Sequence, residues 1–391
     1  MTTSGPCRVF LASPGSGAAE AAARLAAALE SVVIDAVYCA DPADLRATLD
    51  AFLTQSDAKV VVDPRLRDGD DAGGESVANA LERALPAFCE LASAHQGGTV
   101  LLVGNTQLVQ GLLSHVTRAG VRNALRFAGG ALTRTIVEVA ADGHGVLRAL
   151  NANTAARGTP QDGNTRVIMI RHGHAMSVEK GAPVYSHNPI PLSVGGREEA
   201  ARIAVALRTV HVDAIYSSDL VRARQTAEFC AQELGLEVIV DEALRELAIG
   251  DFEGMTLERV HAAHSSFVPW LEVTFRDRFP TADYHHPADL RFPNGQSVLD
   301  VHARSLAGFL RIVRAERGRT VVLVSHGWVL QPLLCHIVGA DPREYFRFSL
   351  PTATLALAHV GDDGRGVLEI FNGGVGLEEL PKLASAGARP G

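Results

Sequence analysis

The chain has 391 residues, which at roughly 100 to 200 residues per domain fits two domains better than one. Hydrophobic residues make up 47% of the sequence and charged residues 20%, the balance of a globular protein rather than of a disordered or fibrous one. The net charge of −8 argues against a broad electrostatic attraction to nucleic acid or to an anionic membrane. A local basic pocket could still accept a small anionic substrate.

The sequence carries no pattern of membrane insertion, secretion or disulfide bonding. It has no run of about 18 apolar residues, and residues 1–6 lack the basic and then apolar pattern of a signal peptide. We therefore expect a cytoplasmic protein. The number of cysteines is odd and no C-x-x-C pair occurs, which favours small buried side chains over a disulfide framework or a zinc ribbon. The cysteines are Cys7, Cys39, Cys89, Cys230 and Cys335.

The chain contains an internal repeat. Residues 22–41 match residues 200–219 at a constant offset of 178, with 11 of 20 positions identical. Further matches pair residues 8–11 with 166–169 at an offset of 158, and residues 99–116 with 320–337 at an offset of 221. Two copies of one fold are therefore predicted in tandem. The second copy is longer, because the offset grows by 20 residues after its first strand and by 43 after about Ala248.

The offsets also predict the domain organisation. A stretch rich in Gly, Pro, Asn and Thr separates the two copies, which is typical of a linker. The first copy is predicted to span residues 1–151, the linker residues 152–164, the second copy residues 165–380, and a flexible tail residues 381–391. Each copy is long enough to bury a core of its own.

Short apolar runs alternate with amphipathic stretches, which is the pattern of a parallel sheet covered by helices. In chain order, the second copy is predicted to form a strand at 167–170, a helix at 196–207, a strand at 214–216, a helix at 221–234, a strand at 238–240, a helix at 298–314, a strand at 321–324, a helix at 329–338 and an edge strand at 368–371. The first four strands are β-branched and short enough to be buried on both faces. The predicted fold class is α/β, with two tandem three-layer α/β/α domains and mostly parallel sheets.

Charged and imidazole side chains follow these strands, at the edge where open α/β sheets bind ligands. The strands at 167–170 and 321–324 are each followed by a His-Gly pair, which contributes His172, with Arg171 before it, and His326. Arg222 lies at the start of the helix after the strand at 214–216, and Glu246 follows the strand at 238–240. We expect these five side chains to meet at one edge of the sheet.

Each of these side chains has a chemical use if the ligand is a phosphomonoester. A neutral imidazole held in one tautomer can attack phosphorus, so His172 is the candidate nucleophile. Arginine forks match the equatorial phosphoryl oxygens, which makes Arg171 and Arg222 candidate ligands, with His326 as a third donor. A carboxylic acid can protonate the leaving alkoxide, and Glu246 is the candidate acid. This chemistry needs neither a metal nor a cofactor.

Five motifs of the second copy resemble those of the histidine phosphatase (phosphoglycerate mutase-like) superfamily. They are R-H-G at 171–173, R-A-R-Q-T-A at 222–227, L-R-E at 244–246 with G-D-F-E-G at 250–254, G-Q-S at 295–297 and S-H-G at 325–327. The resemblance covers about residues 165–372. It implies a phosphohistidine intermediate on His172, a phosphate pocket of Arg171, Arg222 and His326, and Glu246 as the proton donor.

Departures from the family pattern concern the substrate. Phosphoglycerate mutases of the family usually carry an Asn at the position of Val178, which weakens the mutase interpretation. Gln296 replaces the usual Glu, and the bulky Trp328 stands where a small residue is common. The identity of the phosphate ester therefore stays open.

Two assignments have competitors nearby in the sequence. Arg222 is favoured over Arg224 because the family pattern places its phosphate arginine at the start of the motif, which leaves Arg224 as a candidate solvated helix residue. Asp251 and Glu253 lie close enough to Glu246 to be alternative acids.

The 43-residue insertion, roughly residues 249–291, is predicted to form a lid or a substrate wall. Its candidate contacts to the non-reacting part of the substrate are Trp270, Arg276, Arg278, Tyr284, His285, His286 and Arg291. The pair His261 and His264 has a metal-like spacing, but an exposed helix face is favoured because no third ligand follows at a sensible distance.

The first copy lacks this chemistry. The offsets project Arg171 onto Ser13, His172 onto Pro14, Arg222 onto Asp44, Glu246 onto Asp68 and His326 onto Asn105. Proline cannot act as the nucleophile, and aspartate reverses the charge that holds phosphate. We expect this copy to be catalytically inactive and to pack against the second copy as two subunits of a dimer would. Anion binding by the backbone of residues 13–17 and regulation by a ligand are the alternatives.

The leading hypothesis is a metal-independent phosphomonoesterase that hydrolyses a small phosphorylated metabolite through phospho-His172. A mutase-like phosphotransferase, which would return the phosphoryl group to its substrate, is the first alternative. A non-catalytic sensor of a phosphorylated metabolite is the second. We expect no nucleic-acid or membrane partner, and the sequence leaves open whether the chain forms a homo-oligomer.

Overall fold

The computed structural model describes residues 5–13, 29, 32–41, 57–67, 76–130, 133–152, 163–176, 183–263, 267 and 287–373. Most of the predicted linker, and the whole of the predicted tail, lie outside these residues. The exact boundaries of the two copies therefore stay predictions.

The first copy forms a six-stranded sheet, because its short apolar runs are extended and pair side by side. Its strands are β1 (Cys7–Ala12), β2 (Ala36–Cys39), β3 (Lys59–Val62), β4 (Thr99–Val103), β5 (Thr135–Val139) and β6 (Gly145–Ala149). The helices that lie wholly within the described part of this copy are α1 (Val77–Ala94) and α2 (Thr106–Val116). The strand order is β3-β2-β4-β1-β5-β6. The first four of these strands pair in parallel, whereas β5 and β6 are antiparallel.

The second copy forms a second six-stranded sheet of the order β9-β8-β10-β7-β11-β12. Its strands are β7 (Thr165–Arg171), β8 (Ala214–Ser217), β9 (Val238–Val240), β10 (Thr320–Ser325), β11 (Leu355–Val360) and β12 (Gly366–Gly373). The helices in the described residues of this copy are α3 (Val194–Leu207), α4 (Val221–Leu234), α5 (Leu257–Ala263), α6 (Val298–Ala315) and α7 (Gly327–Val338). Short 3₁₀ turns, among them Glu242–Leu244 and Gly250–Phe252, connect these elements.

The two sheets correspond residue for residue, which confirms the predicted duplication. In the first sheet Arg8 lies opposite Thr99, and in the second Arg166 lies opposite Thr320. These pairs are related by the sequence offsets 158 and 221. The pairing of β2 with β4 is repeated in the same way by β8 with β10. The α/β fold class and the mostly parallel sheets are likewise confirmed.

All nine elements predicted for the second copy are present, each within two residues of its predicted bounds. The prediction that the strand at 238–240 is buried on both faces is wrong. This strand, β9, lies at the edge of the sheet, where Ile239 and Val240 are 45% and 49% exposed. β11 and α5 were not predicted.

The sheet of the second copy is covered on both faces, as a three-layer fold requires. Along β7, Val167 and Met169 pack into one hydrophobic core, while Ile168 and Ile170 pack into the other. This alternation follows from the two-residue period of a strand. Two-sided burial holds the central strands rigidly and fixes the residues that follow their carboxyl ends. Among the helices in the described ranges, none is both long and apolar enough to span a bilayer.

Candidate active site

The two central strands of the second sheet bring the predicted histidines together. β7 and β10 are parallel neighbours, and Arg171 lies opposite Ser325 at their carboxyl ends. The next residues, His172 and His326, therefore leave the sheet side by side. The N–H of His172 donates to the C=O of Ser325 at 3.0 Å, and the two imidazole centroids are 5.0 Å apart.

The His172 ring is held in one tautomer. Its Nδ1 lies 2.7 Å from the C=O of Gly173, which can only accept, so Nδ1 carries the proton. Nε2 then holds a lone pair, 3.2 Å from the Nε–H of Arg222, which can only donate. Burial, together with the positive charges of Arg222 and Arg171, lowers the pKa of His172 well below 6.5. His172 is therefore neutral near pH 7, and its Nε2 lone pair accepts the hydrogen bond from Arg222.

Gly173 is required by a close approach of the backbone. A Cβ atom on Gly173 would lie 2.4 Å from the carbonyl oxygen of Gly196, on the first turn of α3. The N–H of Gly173 donates to Oγ1 of Thr226 at 3.1 Å, and the Thr226 hydroxyl donates to the C=O of Arg222 at 2.9 Å. These hydrogen bonds connect the R-H-G motif to the R-A-R-Q-T-A motif, and they orient His172 and Arg222 relative to each other.

Both predicted phosphate arginines are at the site. Arg222 lies on the first turn of α4, is only 6% exposed, and donates through Nη2 to the C=O of Ser186 at 2.8 Å. Arg171 donates through Nη1 to the C=O of Leu350 at 2.5 Å. The Nε of Arg171 is buried and has no hydrogen-bond partner within the described part of the chain. A buried donor without a partner is costly, and an anionic ligand would satisfy it.

His326 also presents a ring nitrogen without a partner. Its Nε2 lies 2.9 Å from Oγ of Ser218, which accepts from the N–H of Leu220 and can donate its own proton to Nε2. When the Ser218 hydroxyl donates in this way, the ring proton of His326 is on Nδ1, an atom that is buried and unbonded among the residues described. Burial, followed by the charge of Arg222, lowers the pKa of His326 well below 6.5.

Glu246 is the buried carboxyl of the site. It is 7% exposed, and its Oε1 accepts from the N–H of Leu247 at 2.9 Å. Burial raises the pKa of Glu246 above 4.5, although that hydrogen bond and the charges of Arg222 and Arg171 oppose the rise. A bound phosphate dianion would raise the pKa further. Burial therefore shifts the carboxyl towards the protonated form that an acid needs.

Two helices begin at the site without a side-chain cap. Among the residues that the structure describes, no side chain caps α4 or α7, whose N-cap residues are Leu220 and His326. The corresponding helix of the first copy, α2, is capped by Asn105, whose Oδ1 accepts from the N–H of Leu108 at 2.7 Å. Asn105 is the projected counterpart of His326. In the second copy the positive helix ends therefore remain available to an anion.

The competing residues have other contacts. Arg224 is exposed and pairs with Glu228 at 3.3 Å, as expected of a solvated helix residue. Asp251 is exposed and accepts from Nδ2 of Asn294 at 3.1 Å, away from Glu246. Arg291 pairs with Asp300 on α6 at 2.6 Å. The other candidate substrate contacts of the insertion, together with Val178 and His264, lie outside the described residues: these are Trp270, Arg276, Arg278, Tyr284, His285 and His286.

Only part of the projected site of the first copy is described. Oγ of Ser13 lies 2.9 Å from Oγ1 of Thr106, and Asn105 caps α2. Pro14, Asp44 and Asp68 lie outside the described residues. The structure thus shows a helix cap at the position where the second copy has His326.

Two residues that bond the backbone around Glu246 are distant from it in the sequence and were not predicted. Nε2 of His187 donates to the C=O of Glu246 at 2.9 Å. The guanidinium of Arg304 donates to the carbonyl oxygens of Ala243 and Arg245 at 2.8 and 2.7 Å. Both residues are almost 60 positions from Glu246 along the chain. A local sequence motif does not predict contacts over such a separation. The contact of Ser218 with His326 was not predicted either.

Comparison with known families decides the family of this chain. The family model described as "Histidine phosphatase superfamily (branch 1)" matches residues 68–153 and 167–373. The chain belongs to the histidine phosphatase superfamily. The two matched segments fall on the two sheets, in agreement with a duplicated arrangement.

Relatives of this histidine phosphatase family member include phosphatases. Phosphoserine phosphatase 1 of Hydrogenobacter thermophilus is 28% identical over 207 residues, which cover 52% of this chain and 91% of that protein. A bifunctional protein of Mycobacterium tuberculosis is 32% identical over 223 residues, and the match spans 56% of each chain. This chain therefore spans only about half the length of that mycobacterial relative. A solved mycobacterial glucosyl-3-phosphoglycerate phosphatase is 29% identical, with 53% of this chain and 98% of that chain covered and a TM-score of 0.46.

Proposed function

We propose that the second copy is a metal-independent phosphomonoesterase that hydrolyses a small phosphorylated metabolite through a phosphohistidine. One observation carries the proposal: Nε2 of His172 holds a lone pair close to Arg222 and to the ring of His326. At the same strand ends, Nε of Arg171 and Nδ1 of His326 are buried and lack partners among the described residues. A phosphoryl group supplies what both features need, because it has an electrophilic phosphorus and three anionic oxygens.

In the first step, Nε2 of His172 attacks phosphorus while the bond from phosphorus to the ester oxygen breaks. The N–H groups of Arg171, Arg222 and His326 bind the equatorial oxygens, where negative charge is concentrated. Glu246 gives its proton to the leaving oxygen, so the product departs as an alcohol. In the second step, the Glu246 carboxylate takes a proton from water as that water attacks phosphorus, and phosphate leaves with neutral His172 restored.

A panel of phosphomonoesters tests this proposal. We expect inorganic phosphate to be released in the presence of EDTA, because the proposed mechanism uses no metal. The matched control is Asn105→Ala, the counterpart of His326 in the first copy, which should leave turnover unchanged because Asn105 only caps α2. The best substrate of the panel would define the class of ester.

The alternatives predict different results in the same assay. Failure of a folded protein to release phosphate from any ester would contradict hydrolysis. Movement of the phosphoryl group within a substrate would then favour the mutase-like alternative, and ligand binding without any transfer would favour the sensor. Release that EDTA abolishes would contradict the metal-independent mechanism. A large loss of turnover in Asn105→Ala would mean that the first copy takes part in catalysis.

We also propose that the first copy is catalytically inactive and packs on the second as a second subunit would. The support is a set of paired hydrogen bonds between the copies. Arg126 donates to the C=O of Gly366 at 3.3 Å, and its counterpart Arg347 donates to the C=O of Gly145 at 3.0 Å. At the centre, Leu150 and Phe371, which are themselves counterparts at the offset of 221, exchange two backbone hydrogen bonds of 3.0 and 2.9 Å. Such reciprocal pairs are the mark of a two-fold interface.

A pair of asparagines adds to this interface. Nδ2 of Asn151 donates to the C=O of Glu369 at 2.8 Å, and Nδ2 of its counterpart Asn372 donates to the C=O of Arg148 at 2.7 Å. Both asparagines are buried and have positive φ values, 49° and 52°. Glycine tolerates this backbone conformation, so a substitution by glycine removes the side chain with little added strain.

Asn151→Gly and Asn372→Gly are therefore each expected to lower the free energy of unfolding by about 1 to 3 kcal/mol, because each leaves buried carbonyl groups without their donor. The two losses should be similar, since the two positions are equivalent. Thermal and denaturant unfolding measure them. Asn294→Gly is the matched control, because Asn294 has a φ of 53° but is exposed and bonds only within its own copy. Losses no greater than that of the control would contradict the proposed packing.

A further inference from the structure

Two segments that lengthen the second copy meet beside the site. One lies after β7 and the other begins after about Ala248. The N–H of Val184 donates to the C=O of Met255 at 2.8 Å, and the N–H of Gly254 donates back to the C=O of Val184 at 2.9 Å. The first segment carries Ser186 and His187, and the second carries Glu253. The first copy has no counterpart of this contact, because the offsets place these segments among its missing residues.

The Glu253 carboxylate organises this contact. Its Oε1 accepts from the N–H of Ser186 at 2.9 Å and from the N–H of His187 at 2.6 Å. Its Oε2 is buried and has no partner within the described ranges. A half-buried carboxylate that accepts two backbone donors is a strong constraint on the turn that carries them. Within the described ranges, no other side chain bonds these two N–H groups.

The turn held by Glu253 contacts two members of the proposed machinery. The C=O of Ser186 accepts from Nη2 of Arg222 at 2.8 Å, and Nε2 of His187 donates to the C=O of Glu246 at 2.9 Å. Arg222 in turn donates to the candidate nucleophile. The orientation of both the arginine and the acid therefore depends on where Glu253 places this turn.

We propose that Glu253 is a positioning residue that sets the orientation of Arg222 and Glu246 through the Ser186–His187 turn. This role rests on the proposed function of the site. The role depends on the length of the Glu253 side chain, because one carboxylate oxygen must lie within hydrogen-bond distance of two adjacent N–H groups. The negative charge is less important, since a neutral amide oxygen at the same place would also accept both protons.

Two conservative variants distinguish the contribution of the side-chain length of Glu253 from that of its negative charge. Glu253→Gln keeps the length and one acceptor oxygen, and should keep kcat/KM within a few-fold of the wild type. Glu253→Asp keeps the charge but is one methylene shorter, so it should lower kcat/KM by about 10²-fold, the order of loss expected from a displacement of about 1 Å. Inorganic phosphate, measured by calorimetry, should bind more weakly to Glu253→Asp because Arg222 is misplaced. Asp251→Ala is the matched control, since the exposed Asp251 contacts only Asn294 by side chain.

The reverse order, with Glu253→Asp active and Glu253→Gln impaired, would overturn the proposal in favour of a purely electrostatic role. Equal behaviour of Glu253→Asp and Asp251→Ala would also overturn it. The phosphate-binding measurement does not require turnover. If the wild type hydrolyses no ester but binds phosphate, and Glu253→Asp binds it more weakly, then the proposed function fails while the positioning role stands.

Discussion

Replacing His172 with alanine is expected to lower phosphate release by at least about 10³-fold, because a covalent mechanism loses its nucleophile with this side chain. Nε2 of His172 is an atom with a lone pair, 3.2 Å from Nε of Arg222. No other described side chain offers a lone pair at that position. The measurement is initial-rate phosphate release with the best ester of the panel.

His211→Ala is the matched control for this variant. His211 precedes β8 at the opposite end of the sheet, is exposed, and pairs only with Asp213, at 3.2 Å. It should therefore leave kcat unchanged. Circular dichroism should show that His172→Ala remains folded. A rate within tenfold of the wild type would contradict the phosphohistidine mechanism. Trapping of an acid-labile phosphoryl group on the wild type, and not on His172→Ala, would support it directly.

The fold was largely predictable because the pattern of apolar residues that marks each strand and helix is local in the sequence. β9 was predicted with its correct bounds, yet its burial was wrong, since its place at the sheet edge depends on strand order rather than on its own residues. β11 was missed because its sequence, L-A-L-A-H-V, is rich in leucine and alanine, which favour helices. It is a strand because β7 and β12 pair with it on its two sides.

The site was predictable to the extent that strand ends define it. His172 and His326 follow two buried strands, so the pairing of β7 with β10 brings them together without any further information. The residues that hold the site from a distance could not be predicted in this way. His187 and Arg304 reach Glu246 across almost 60 positions, and such contacts form only when segments that are distant in the sequence pack together.

Glu246→Gln is expected to lower kcat by about 10² to 10⁴-fold with an alkyl phosphate, because the leaving alkoxide loses its proton donor. With p-nitrophenyl phosphate, Glu246→Gln should affect the phosphorylation of His172 and its dephosphorylation differently, because nitrophenolate leaves without taking a proton. Phosphorylation of His172 should then stay fast, while its hydrolysis is slow because no carboxylate is present to take a proton from water. Rapid-mixing kinetics should therefore show a burst of about one nitrophenolate per site, followed by slow turnover.

The pH profile gives a second readout of the same variant. The wild type should lose kcat/KM as the pH falls through the pKa of His172, which lies below 6.5, because the nucleophile becomes protonated. It should also lose kcat/KM as the pH rises through the pKa of Glu246, which lies above 4.5, because the acid loses its proton. In Glu246→Gln the alkaline loss should disappear and the acid loss should remain. An unchanged alkaline limb would assign the acid to another group, and Asp251→Ala is the matched carboxylate control because that side chain is exposed and contacts only Asn294.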